Sequence, residues 1–509
     1  MSRTRRNFLL GTAAVAALGA GAYVTRSALM AAPTAPRPLP IPPLLDARVG
    51  GQSISLRVQA GRTEFFPGRE SATLGYNGSY LGPTIRVHRG DDVQLAVANA
   101  LDRDTTVHWH GLLVPGELDG GPHQLIRPGE TWRPILPIRQ PAATLFYHPH
   151  VHGRTADQVY GGLAGVLLIA DDAERALGLP SDYGVDDLPL VIQDRQFEDG
   201  RLIDPADMMT MMVGRRGDTL LVNGTPNAVA SVPARRVRLR LVNGSNARIY
   251  SLSFKDQRAF QWIASEGGLL NAPVDLRSLS LAPGERAELL VDFSDGRAAM
   301  LVTGPDANAS MMMGGMGRLR DGFASAFRSG ERAVLAFEPS GAPGSAAAVP
   351  SRLAGRERAD ASRAVRRRRF ALNMGMGGMM GGGGMGGGGM GMGGSSMGGG
   401  MGIGAINGRG FDMDRVDERV RLGDTEIWEV SGEMMAHPFH MHGVHFEVLS
   451  RDGRMPDVRD QGLRDTVLVR EPVELLVRFT QPAVNSPFMY HCHILEHEDN
   501  GMMGQYATD

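Results

Sequence analysis

The 509-residue chain is long enough for about three domains at roughly 150 residues each. Its 42% hydrophobic content gives each of them material for a buried core. A formal net charge of -2 excludes an electrostatic reason to expect nucleic acid as a partner, and Lys255 is the only lysine in an otherwise arginine-based set of cations.

Residues 1-35 read as an export signal and the start of the mature chain. Thr4-Arg5-Arg6-Asn7-Phe8-Leu9-Leu10 is a twin-arginine pattern, followed by an Ala/Gly-rich apolar run to about Val24. That run is short and weakly apolar for a span, which takes about 20 residues. A cleaved signal of the twin-arginine type fits better, with cleavage between Ala22 and Ala35 and a periplasmic destination. After cleavage no association with a membrane is expected.

The body reads as all-β. Apolar or alternating runs recur between Gly, Pro, Asn and Asp turns: Thr84–Val87, Asp92–Asn99, Leu163–Ile169, Leu188–Gln193, Val237–Val242, Ala287–Phe293, Glu426–Val430, Phe446–Leu449 and Val473–Phe479. Such spacing predicts β-sandwiches. A first domain is placed at 46-172, a second at 185-340, a linker at 341-362 and a third at 363-509. Inside the third, residues 374-401 are almost only glycine and methionine, with nine methionines and two serines. So much glycine predicts a disordered or loosely draped insert.

The fourteen histidines divide evenly between the two end domains, and none lies between His152 and His437. Four His-X-His pairs stand out: His108-Trp109-His110, His148-Pro149-His150, His440-Met441-His442 and His491-Cys492-His493. On a strand, residues i and i+2 share a face, so each pair presents two imidazoles together. Two pairs from each end domain allow eight imidazoles to converge at one interface. Imidazole is a ligand for copper, zinc and iron. Cys492, the only cysteine, points away from its flanking histidines toward His437, His497 and Met502. Two histidines, a thiolate and a thioether are the ligand set of a blue-copper electron-transfer site. Zinc has no redox chemistry and leaves the methionine unexplained. His88, His123, His152 and His445 read as surface or core residues.

At these residues the sequence resembles the multicopper oxidases, and their bacterial copper efflux branch in particular. HWHGLLVPGELDGGP, FYHPHVHGRT, GDTLLVNG, NGSNAR, HPFHMHG and HCHILEHEDNGMM all have the family's form. The resemblance implies three cupredoxin-like Greek-key β-sandwich domains, a monomeric state and four copper ions as cofactors. It assigns His437, Cys492, His497 and Met502 to type 1 copper. It assigns His108 and His440 to type 2 copper. His110, His148, His150, His442, His491 and His493 fall to the binuclear type 3 pair. Asp119 and Glu498 are candidate proton relays by motif position, with orientation of ligand histidines as the alternative role. Met374, Glu433 and Met435 match residues that bind a substrate copper, and thioethers favour Cu(I). The sequence departs from the pattern here: the insert lacks histidine and aspartate, Met379 stands where an aspartate is expected, and Glu433 replaces another.

The expected function is that of a periplasmic enzyme oxidising Cu(I), and phenolic donors as well, with dioxygen reduced to water in the service of copper tolerance. A general laccase is the nearest rival. A copper-sequestering protein using the methionine tract is a rival of another class. A non-catalytic relative serving envelope assembly is disfavoured by the retention of every ligand.

Overall fold

The structure is a computed structural model and describes residues 35–206, 208–308, 330–346, 348–357, 359–374 and 404–509. The signal reading at 1-35 falls outside them except for residue 35, and the Met/Gly insert falls outside them except for Met374. Among the described residues no helix is long and apolar enough to cross a membrane.

Three β-sandwiches follow one another along the chain, the cupredoxin-like Greek-key arrangement. In the first, one sheet runs Leu44–Asp46, Thr84–His88, Gly165–Ala170, Ala143–His148, His108–His110. It faces a sheet built on Ser53–Phe66, Arg69–Tyr76 and Asp92–Asn99. The strand Ser53–Phe66 begins with strict alternation of exposed and buried residues. Its Ile54, Leu56 and Val58 meet Ile85, Val87, Leu145 and Leu167 from the opposite sheet in one core. The period of two in the side chains thus becomes a two-layer packing.

The second sandwich pairs a six-stranded with an eight-stranded sheet, and its core gathers Leu190, Leu239, Leu241, Leu252, Phe254, Trp262, Leu289 and Phe337. One strand comes from outside the expected range of 185-340. Arg37–Pro38 runs parallel to Ala228–Pro233 at the sheet edge, with Arg37↔Ala228 and Pro38↔Val229 in register. Prolines around it cannot donate ladder hydrogen bonds, which suits an edge. The third sandwich opposes Arg366–Met374, Thr425–Gly432, Val473–Arg478 and Phe446–Arg451 to His437–Met441, Thr466–Val469, Ala483–Cys492 and Met503–Thr508.

Candidate metal centre

Each His-X-His pair straddles a strand or its end. His108 and His110 lie on one short strand, and Trp109 between them turns into the first core, fully buried against Trp132. His148 closes the neighbouring strand opposite His108, and His150 follows the proline. In the third sandwich His440 sits opposite His491, and Phe439 opposite Cys492. His442 and His493 come just past the ends of those strands. Both sandwiches turn these edges toward each other. Rings stack across the gap, His108 on His442 at 3.8 Å and His110 on His440 at 3.7 Å between centroids.

The donor atoms of these rings gather in overlapping groups, His108 with His110 and His148, His108 with His440 and His442, and His150 with His442 and His491. Nε2 of His150 and Nε2 of His442 lie 3.2 and 3.3 Å from Nε2 of His491. Nδ1 of His110 lies 3.3 Å from Nε2 of His148, beside a His493 ring whose two nitrogens have no partner. The Nε2 atoms of His108 and His440 are buried without partners. An apolar interior does not leave so many buried polar atoms unsatisfied, so these lone pairs are arranged for something to fill them. Burial, first of all, and then the neighbouring rings push His110, His148, His150, His442, His491 and His493 well below the ordinary imidazole range. Neutral imidazole is the form that binds metal.

The nitrogens on the outer side of the cluster are held. His108 Nδ1 donates to the Asp119 carbonyl at 3.0 Å, and His442 Nδ1 to Asp119 Oδ2 at 2.8 Å. His440 Nδ1 donates to the Asp465 carbonyl at 2.9 Å. Glu498, itself buried, places one oxygen 3.3 Å from His150 Nδ1 and the other 3.3 Å from His491 Nδ1, outside hydrogen-bond geometry. Burial and then the Asp499 carboxylate raise Glu498 well above the usual range.

On the other face of the same strand, Cys492 is fully buried. Its Sγ lies 3.4 Å from His437 Nδ1 and 3.6 Å from His497 Nδ1, and accepts from Ile494 N–H at 3.4 Å. Met502 is fully buried in the same core. Burial raises the thiol well above its usual range, and lowers His437 to about 4 and His497 to about 3. The outward nitrogen of His437 donates to Glu433 O at 3.0 Å, and that of His497 to Met212 O at 2.9 Å. Met374 is buried in the third core, Met435 packs partly against it, and the Glu433 side chain is exposed. His88 and His123 bond Asp46 and Gln505. His445 bonds the Gly111 carbonyl and lies with its Nε2 4.0 Å from Asp465 Oδ2, behind the cluster histidine His110.

Asp465 escaped the sequence reading, although it touches the cluster at two histidines. It has no motif spacing of its own. Its partner Arg286 lies 179 residues away, and that separation leaves no local signal.

The fold and this double site are those of the multicopper oxidases, and the chain belongs to that family. Three family models described as Multicopper oxidase match residues 57–174, 196–314 and 391–509. The Cell division protein FtsP of Xenorhabdus nematophila is 39% identical over 514 residues, covering 100% of this chain and 99% of that protein. That of Escherichia coli K12 is 38% identical over 511 residues, again 100% and 99%. Among solved structures, the bacterial laccase-like multicopper oxidase CueO from Ochrobactrum sp. aligns with a TM-score of 0.81 at 41% identity, covering 93% of this chain and 100% of that one. Family and fold support an oxidoreductase that binds copper.

The expected role in copper tolerance is corrected by these relatives. Over their full length they are named for cell division, not for oxidising Cu(I). The laccase and copper-sequestration readings are not favoured in its place. The sequence reading failed here because a metal site encodes its chemistry and not the process it serves.

Proposed function

We propose that this chain is an exported cell-division protein of the multicopper oxidase family that has kept a complete copper set. The division role rests on the full-length similarity to proteins named FtsP. The copper set rests on one observation: buried imidazole lone pairs from two sandwiches converge without partners. In this reading His437, Cys492, His497 and Met502 hold type 1 copper. His108 and His440 hold type 2. His110, His148 and His493 hold one type 3 ion, and His150, His442 and His491 the other. The donor set fits, because imidazole with thiolate and thioether suits a blue-copper site and imidazole alone suits the cluster.

Coppers so held supply one-electron uptake at Cys492 and reduction of dioxygen to water at the histidine cluster. The chain's own residues do the rest. Cys492 is covalently continuous with His491 and His493, which gives a short path between the two sites. Asp119 fixes the tautomers of His108 and His442 through their Nδ1–H. Glu498 sets one oxygen 3.3 Å from His150 Nδ1 and the other 3.3 Å from His491 Nδ1, and burial raises its carboxyl, which suits it to hold or pass a proton beside those rings. Export by the twin-arginine route completes the reading, since that route carries folded protein.

The test is genetic and chemical together. A deletion strain should divide abnormally and recover with the intact gene. The purified protein should take up four copper equivalents per chain. Normal division without the gene would remove the first half of the proposal, and a protein that takes up no copper would remove the second.

A further inference from the structure

The middle sandwich has no histidine, yet it reaches the cluster. Its turn before the strand Arg286–Asp292 enters where the other two sandwiches meet. Gly284 has φ +79°, and a Cβ there would stand 2.8 Å from His493 Cδ2 and 3.0 Å from His110 Cε1. Backbone from the middle sandwich therefore backs one ring from each flanking sandwich. Two residues on, Arg286 is fully buried. Its guanidinium donates to both oxygens of Asp465, at 2.7 and 2.6 Å, and to Thr144 O of the first sandwich at 3.2 Å. Gly111, with φ +87°, leaves room for this contact. A Cβ there would fall 2.4 Å from the guanidinium and 2.6 Å from Asp465 Oδ2.

Asp465 passes the constraint on. Its Oδ1 accepts from His110 Nε2 at 3.0 Å and from the Thr466 hydroxyl at 2.8 Å. Its backbone carbonyl accepts from His440 Nδ1 at 2.9 Å. Each of these rings therefore offers its other nitrogen to the cluster. We infer that Arg286 is a positioning residue, through which the ligand-free middle sandwich sets the orientation of His110 and His440 by way of Asp465. A bidentate fork fixes the plane of a carboxylate, whereas an ammonium supplies charge without direction. The middle sandwich is then the third wall of the centre.

This inference rests on the copper-bearing reading above, and the experiment separates the two. Apo-protein is titrated with copper against a chelator for wild type, Arg286→Lys and Asp465→Asn, following type 1 absorption and the type 2 EPR signal. Arg286→Lys keeps the buried positive charge and so protects folding. It should leave type 1 affinity unchanged, alter the type 2 hyperfine pattern and weaken copper binding at the histidine cluster on the order of 10–100-fold. Asp465→Asn should do the same. Unchanged cluster affinity and EPR in Arg286→Lys would overturn the inference, and so would an equal loss at both sites, which marks a general structural role. Failure of the wild type to bind copper would strike the copper reading itself.

Discussion

At the scale of single residues, Cys492 and Asp119 carry the sharpest expectations. Serine is a poor substitute for a thiolate in a blue-copper site. Cys492→Ser should therefore lose the intense absorption of type 1 copper while the histidine cluster keeps its ions, as metal analysis and EPR would record. A variant that keeps the absorption would exclude Cys492 as a ligand. Asp119→Ala leaves the Nδ1–H of His442 buried without its acceptor. Copper affinity at the cluster should fall on the order of 10–100-fold, read by the same chelator titration. The ligand histidines were legible in the sequence because strand geometry turns the spacing i, i+2 into a shared face. Cys492 was legible because it stands alone, in the reverse phase of such a pair. Asp465 and Arg286 were not, because a long-range ion pair has no period. The contact of Met212 O with His497 was equally silent, since a backbone carbonyl leaves no trace in residue type.

At the scale of elements, the strands were legible wherever burial alternates. Asp92–Asn99 is reproduced to the residue, and Thr84–His88 to within one. Arg37–Pro38 was missed because two residues amid prolines hold no pattern. Charge at the joint between the second and third sandwiches gives a pH expectation. Glu266, at the turn between Phe260–Ser265 and Gly268–Leu276, is buried 3.3 Å from Arg464 of the third sandwich. Burial first, offset by Arg464 and reinforced by Glu285, raises Glu266 from 4.5 to about 7. A raised carboxylate binds more protons folded than unfolded between those values. Its contribution to stability is full below pH 4.5 and is lost as pH rises toward 7. Glu266→Gln should flatten the thermal midpoint against pH across that window relative to wild type. A difference between the two proteins that does not change with pH would contradict this assignment.

At the scale of the whole molecule, ionic networks hold the sandwiches in register. Glu288 of the second sandwich accepts from Thr144 of the first at 2.7 Å and from Arg238 and Arg240 at 2.8 and 3.0 Å. The two guanidiniums hold it at about 2 against the burial that would raise it. Glu288→Ala leaves both cations buried and short of a partner, which costs about 3–5 kcal/mol. Thermal unfolding should begin earlier, with the first sandwich separating from the second. A thermal midpoint equal to wild type would show that the network is dispensable. The edge strand Arg37–Pro38 has a different consequence, one of folding order. Its partner strand begins at Ala228, so the intervening first sandwich must be spanned before the pairing exists. Closing a loop of that length costs about 4–5 kcal/mol of chain entropy. Two residues of ladder cannot supply that alone. The strand can dock only once the first two sandwiches have closed most of the loop on their own account. The leading segment of the chain is then anchored last, and its anchoring reports that the middle of the molecule is already built.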